Sequence, residues 1–169
     1  MSAPSQKILE ALAAEVGALL LSNGLRLATA ESCTGGWVAQ CLTSIAGSSD
    51  WFERGFVTYS NEAKQEMLGV EIDTLMIHGA VSEAVAAAMA IGALRHSHAD
   101  WVLAITGIAG PGGGSTDKPV GTICFSWAGP EGYVDVETRH FSGSREEVRA
   151  HSVAHACTGI LQRAAVLQG

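Results

Sequence analysis

At 169 residues, 47% of them hydrophobic, the chain is long enough to bury a real core and short enough to be read as one domain over residues 1–169. A formal net charge of -7 argues against duplex nucleic acid as a partner, since that needs a basic face, but leaves room for a small anionic substrate met by a few local cations. No apolar run approaches the roughly 18 residues of a membrane span, no secretory leader is apparent, and four cysteines without CxxC spacing suit reduced thiols in a cytoplasmic protein.

Apolar residues at Ile8, Leu9, Leu12, Val16, Leu19 and Leu20 follow helical spacing, so Ser5–Asn23 is expected to be a helix, with Gly24 where a C-terminal cap would stand. Arg26–Ala30 reads as a strand. Thr34–Ile45 reads as a helix, stopped by Gly47-Ser48-Ser49-Asp50. Gly55–Tyr59, β-branched and aromatic, reads as a second strand. A short helix over Asn61–Leu68 ends at Gly69. Ser82–His96 is an alanine-rich helix with Ser82 as its N-cap. Trp101–Thr106 is a continuous apolar run, as in a strand covered on both faces. A glycine-rich loop, Gly107–Pro119, follows. Val120–Ala128 and Tyr133–Phe141 read as strands joined by a hairpin turn, and Ser144–Leu167 as the last helix, with Ser144 and Glu147 at capping-box spacing. Early alternation of helix and strand with a late hairpin predicts a layered α/β domain with a mixed sheet.

The segment Ala30-Glu31-Ser32-Cys33-Thr34-Gly35-Gly36 places a hydroxyl at a strand-to-helix turn, where backbone N–H groups and the positive end of a helix dipole would point. Ser32 there can cap a helix or attack an electrophile. As a nucleophile it needs a base. No histidine lies in the turn segments near it, so a Ser-His-Asp triad is poorly supported. A desolvated lysine can serve instead, and Lys64 follows the second strand. Strand ends of α/β sheets gather at one edge, which would bring Ser32, Tyr59 and Lys64 together. The plainer alternative makes Ser32 and Ser60 helix caps, Tyr59 a core residue and Lys64 a solvated one. Cys33 sits beside Ser32, where a helix N-terminus could lower its pKa.

The loop from Thr106 to Lys118 can approach a ligand closely and offer N–H groups to it. It is not a Walker A motif, because Gly113 stands where lysine must be. Arg145 and Arg149 share a helical face and could hold a phosphate, or pair with Glu146, Glu147 or Asp135 at the surface. His151 and His155 also share a face, but the glutamate of a zinc-protease motif is missing, which leaves a surface pair.

Taken together, Ala30–Gly36, Gly55-Phe56-Val57-Thr58-Tyr59-Ser60-Asn61-Glu62-Ala63-Lys64, Thr106-Gly107-Ile108-Ala109-Gly110-Pro111-Gly112-Gly113 and Lys118-Pro119-Val120-Gly121-Thr122 resemble, in order, the CinA C-terminal domain family of nicotinamide-nucleotide amidases. The resemblance implies that family's α/β/α fold and hydrolysis of the carboxamide of nicotinamide mononucleotide (NMN) to nicotinate mononucleotide and ammonia, in pyridine nucleotide salvage. It makes Ser32 the nucleophile and puts Tyr59 and Lys64 in the catalytic set. Cys33, Thr34 and Gly35 would supply N–H groups to the oxyanion. Thr106, Gly107, Ile108, Ala109 and Gly110 would shape the pocket, and Arg145 would meet the phosphate. The scheme needs no metal and no cofactor. The family commonly has Gly-Asp-Arg before its last helix; Gly143-Ser144-Arg145 here keeps the arginine and loses the acid. The chain is expected to be the stand-alone form, without the molybdopterin-binding-like domain of longer relatives. Apolar faces on the Ala-rich helices would suit a homodimer. Two other readings stay open: a nucleotide-binding module without catalysis, and, ranked last, a metal-dependent nucleotide pyrophosphatase.

Overall fold

The computed structural model describes residues 2–167. Eleven regular elements follow one another: α1 (Gln6–Ser22), β1 (Leu27–Glu31), α2 (Trp37–Thr43), β2 (Phe52–Val57), α3 (Asn61–Leu68), α4 (Ile72–His78), α5 (Glu83–Arg95), β3 (Trp101–Gly107), β4 (Thr122–Ala128), β5 (Val134–His140) and α6 (Arg145–Leu167). Two short 3-10 turns, Ser48–Asp50 and Pro130–Gly132, complete the order. The five strands form one sheet in the order β2-β1-β3-β4-β5. β1 is parallel to β2 and to β3, whereas β4 and β5 run antiparallel to their neighbours, so the sheet is mixed, as expected.

Side-chain alternation assigns the two faces. Leu27, Leu103, Ile105, Phe125 and Trp127 point to one side and pack with Leu9, Val16 and Leu20 of α1, Val38 and Leu42 of α2, and Val153 and Ile160 of α6. Ala28, Ala30, Val102, Ala104 and Ala128 point to the other, where Leu68 of α3, Leu75 of α4 and Val85 and Met89 of α5 cover them. The result is an α/β/α sandwich. Trp127 also donates from Nε1 to the Ala156 carbonyl at 3.1 Å, which joins sheet to helix where a buried indole would otherwise lack a partner.

Capping signals locate most helices. Ser5, Ser60 and Ser82 accept from the N–H groups of Ile8, Ala63 and Val85. Ser144 and Glu147 close a reciprocal box at the start of α6, with the Ser144 N–H donating to Glu147 Oε2 at 2.7 Å and the Glu147 N–H to Ser144 Oγ at 3.3 Å. Serine thus fills the capping role that an aspartate can also fill.

Four expectations need correction. β2 starts at Phe52, not Gly55, because its pairing with β1 begins at Leu27–Phe52 and steps over Glu53 at a bulge; it ends at Val57, leaving Tyr59 beyond the strand. α2 starts at Trp37, not Thr34, since Ser32–Gly36 forms a turn of its own. His151 and His155 are not a plain surface pair. His151 stacks on Phe141, and His155 lies against Phe125 with its Nε2 2.9 Å from Glu137 Oε2. The Ala-rich α5 is not an exposed apolar face either: its small side chains bury it against the sheet and α3, and the exposed apolar side chains Ile72, Met76 and Ile77 sit on α4.

Candidate active site

The parallel strands β1, β2 and β3 end on the same edge of the sheet, and the chain leaves β1 towards neighbours on both sides. Such a switch point opens a crevice beyond the strand ends. A cavity of about 280 Å³ lies there. Ser32 and Cys33 after β1, Tyr59 after β2, Lys64 from α3, the run Thr106–Gly110 at the end of β3, and Arg145 at the start of α6 all line it.

Ser32 follows directly on β1 and is 8% exposed. It caps no helix. The N–H groups of Val38 and Ala39 at the start of α2 donate instead to the Glu31 carboxylate, at 2.9 and 3.1 Å. Lys64 lies in the second turn of α3, whose side chains lean towards the helix N-terminus. That tilt carries Nζ back over the chain end of β2. Nζ lies 3.1 Å from Ser32 Oγ, donates to the Thr58 carbonyl at 2.8 Å and comes within 3.5 Å of the Tyr59 carbonyl. Lys64 is 1% exposed, not solvated, and it pairs with no carboxylate among the described residues. Burial therefore pushes its pKa below the ordinary lysine range. A neutral amine has two N–H donors and one lone pair. With the donors turned to the two carbonyls, the lone pair is left for the Ser32 hydroxyl.

Tyr59 is exposed, not core-facing, and its hydroxyl accepts from Arg145 Nη2 at 2.9 Å. Arg145 also donates from Nη1 to the Gly110 carbonyl at 2.7 Å. One guanidinium therefore links the end of β2, the glycine loop and α6 across the cavity mouth. Neither Arg145 nor Arg149 pairs with an acid among the described residues; Asp135 is taken by Arg163.

The glycine loop is a built wall. Ile108 exchanges backbone hydrogen bonds with Thr122 and Gly121, and Lys118 Nζ ties the loop to the His78 carbonyl at the end of α4. Gly110 has φ +86°, and a Cβ there would stand 2.5 Å from Val120 Cγ1, so only glycine lets the loop lie so close. The Thr106 hydroxyl donates to the Ala80 carbonyl at 2.8 Å, so it holds the opposing wall in place.

Three sequence expectations change here. Thr34 and Gly35 do not line the cavity: Thr34 turns its hydroxyl onto Glu31 Oε1 at 2.7 Å, and the Gly35 N–H closes the turn onto the Ser32 carbonyl at 3.0 Å. Cys33 does line it, but burial pushes its thiol up to about 12, the reverse of the expected lowering, and the helix begins four residues later. Sequence reasoning also missed Glu31 and Asn61, and it gave Arg149 another role. Asn61 lines the cavity from the first position of α3. Glu31 was legible in part, because it shares the α2 face of β1 with Leu27. Arg149, expected beside Arg145 on a phosphate or paired with an acid, instead donates to the Cys33 and Thr34 carbonyls. No group of three or more metal-ligating side chains gathers among the described residues, and no described helix is long and apolar enough to cross a membrane.

The fold is an α/β sandwich with a buried lysine amine beside a serine hydroxyl in its switch-point cavity, an arrangement that needs no histidine to place a base next to a hydroxyl. The particular family is fixed by comparison. The model of the CinA C-terminal domain matches residues 9–164, and the chain belongs to that family. It is 54% identical over 152 residues to a nicotinamide-nucleotide amidohydrolase, PncC, of Escherichia coli K12, covering 90% of this chain and 92% of that one. It is also 53% identical to a CinA-like protein of Syntrophobacter fumaroxidans, over 91% of this chain but 36% of that longer one. Among solved structures, a competence/damage inducible protein of Agrobacterium tumefaciens superposes with a TM-score of 0.89 at 44% identity, covering 96% of this chain and 98% of that one.

Proposed function

We propose that this chain hydrolyses the carboxamide of NMN to nicotinate mononucleotide and ammonia. The observation that carries the reading is the 3.1 Å approach of Lys64 Nζ to Ser32 Oγ, at a lysine without an acidic partner among the described residues. The activity named for the Escherichia coli relative supports the substrate class.

Neutral Lys64 takes the Ser32 proton as Oγ attacks the carboxamide carbon. Because Tyr59 Oη is engaged by Arg145, the direct transfer fits better than a relay through the tyrosine. The oxyanion is met by backbone N–H groups of the Ser32 turn, each worth about 3 kcal/mol in such a role. Protonated Lys64 returns the proton to the leaving nitrogen, ammonia departs, and an ester on Ser32 remains. Water then adds to the ester carbon and gives a proton to Lys64. Lys64 passes it to Ser32 Oγ as the acid is released. Arg145 meets the phosphate at the mouth, where no carboxylate among the described residues pairs with its guanidinium. The glycine loop encloses the nucleotide. The product keeps its phosphoribosyl group, which suits recycling of pyridine nucleotides in the cytoplasm.

The test is ammonia release from NMN by wild type and Ser32→Ala, each with and without chelator. Chelator-insensitive release that disappears in Ser32→Ala is expected. NMN binding without any release from wild type would instead make the chain a binding module.

A further inference from the structure

The turn that carries Ser32 is gripped from behind by a residue that the proposed reaction does not use. Three consecutive carbonyls of the turn are engaged. The Ser32 carbonyl accepts from the Gly35 N–H at 3.0 Å. The Cys33 and Thr34 carbonyls accept from Nε and Nη2 of Arg149, each at 3.0 Å. In a trans peptide the N–H points opposite its carbonyl. The N–H groups of Cys33 and Thr34 belong to the peptide units whose carbonyls, on Ser32 and Cys33, are thus fixed. They turn away from those partners, and neither donates to a backbone carbonyl among the described residues.

Arg149 is half-buried, and its guanidinium sits 5.3 Å over the Trp37 ring. It makes no ion pair among the described residues, so no carboxylate competes with the two turn carbonyls for its charge. A cation bonded to a peptide carbonyl draws electron density from that peptide and makes its N–H a better donor. The planar fork also matches two successive carbonyls in a way that a lysine ammonium does not.

We propose that Arg149 is a positioning residue of the reaction: by clamping the Cys33 and Thr34 carbonyls it holds the Gly35 N–H on the Ser32 carbonyl, and through that peptide unit it aims the Cys33 N–H group at the oxyanion formed on Ser32. This rests on the amidase reading above. It predicts a loss in the chemical step and not in substrate binding, because the clamp acts on charge that exists only in the transition state.

The experiment measures ammonia release from NMN for wild type, Arg149→Lys and Arg149→Ala, with melting curves on each. Wild type is assayed first; if it releases no ammonia, the amidase reading itself fails, which is a separate result. With wild type active, kcat should fall about 100-fold in both variants, as for loss of one oxyanion donor. KM should stay within about threefold, the mark of an interaction made only in the transition state. Guanidinium added to Arg149→Ala should restore kcat by about tenfold or more, since it replaces the missing fork. A kcat within about threefold of wild type, a loss confined to KM, or a loss in kcat that guanidinium does not relieve would overturn the proposal.

Discussion

Replacing Lys64 with methionine isolates the feature on which the chemistry depends, an amine held in its neutral form by burial. The ordinary lysine value is 10.5, and the folded value lies below it because the side chain is 1% exposed. Between the folded value and 10.5, the unfolded chain therefore holds one proton that the folded chain does not. Folding stability then rises with pH in that window and flattens below it, where both states are protonated. The slope is up to about 1.4 kcal/mol per pH unit. In a chain of this length that amounts to roughly 4 °C of melting temperature per unit. Lys64→Met lacks this contribution, while its loss of the bond to the Thr58 carbonyl costs a similar amount at every pH. The difference in melting temperature, wild type minus variant, should therefore increase from about pH 7 to about pH 10, with most of the rise above the lowered pKa. Thermal melts of both proteins across that range give the answer. A difference that does not change with pH would refute the reasoning, because Lys64 would then titrate where an exposed lysine does. The same lowered pKa should set the acid limb of kcat/KM, with activity rising as pH rises and the amine loses its proton.

Other perturbations reach the mouth, the packing and the far end of the sheet. Arg145→Met should raise KM for NMN by about 100-fold while leaving that for the unphosphorylated riboside nearly unchanged, as read by ammonia release, since a charge-assisted contact to phosphate is worth roughly 2–3 kcal/mol. Gly159→Ala should destabilise by about 1–3 kcal/mol in urea unfolding, because a Cβ there would collide with the Trp127 ring, which is itself held by the Ala156 carbonyl. Burial would raise the pKa of Glu137, but bonds from Arg163, His155 and Arg139 outweigh it and hold the carboxyl at about 2, below its ordinary 4.5. That group's stabilisation is present above about pH 4.5 and lost as pH falls towards about 2. It amounts to roughly 2 kcal/mol after screening, and Glu137→Gln should flatten this part of the acid unfolding curve.

Much of the architecture is legible where a local signal and the tertiary outcome agree. Ser60 and Gly69 bracket α3 at the residues predicted, and Ser82 and the Ser144–Glu147 box start their helices as expected. Agreement weakens where packing decides. β2 lies at a sheet edge with half its residues exposed, so its apolar signal covers only its last residues. α4 has no side-chain cap and exposes Met76 and Ile77, so neither capping nor amphipathic spacing announced it. The gathering of Ser32, Tyr59 and Lys64 followed from strand ends meeting at one edge. The burial of Lys64 did not follow, because a lysine on a short helix reads as solvated until the tilt of α3 is known. Glu31 and Arg149 support the Ser32 turn through backbone groups, and a pattern of side chains does not record such partners.

The most direct test of the account is the state of Ser32 during turnover. Enzyme mixed with NMN, quenched in acid within the first turnover and digested should yield the Ser32 peptide carrying an acyl group equal to NMN less ammonia, and Ser32→Ala should release no ammonia. Turnover by wild type with the Ser32 peptide unmodified, together with ammonia release by Ser32→Ala, would contradict a serine nucleophile activated by Lys64.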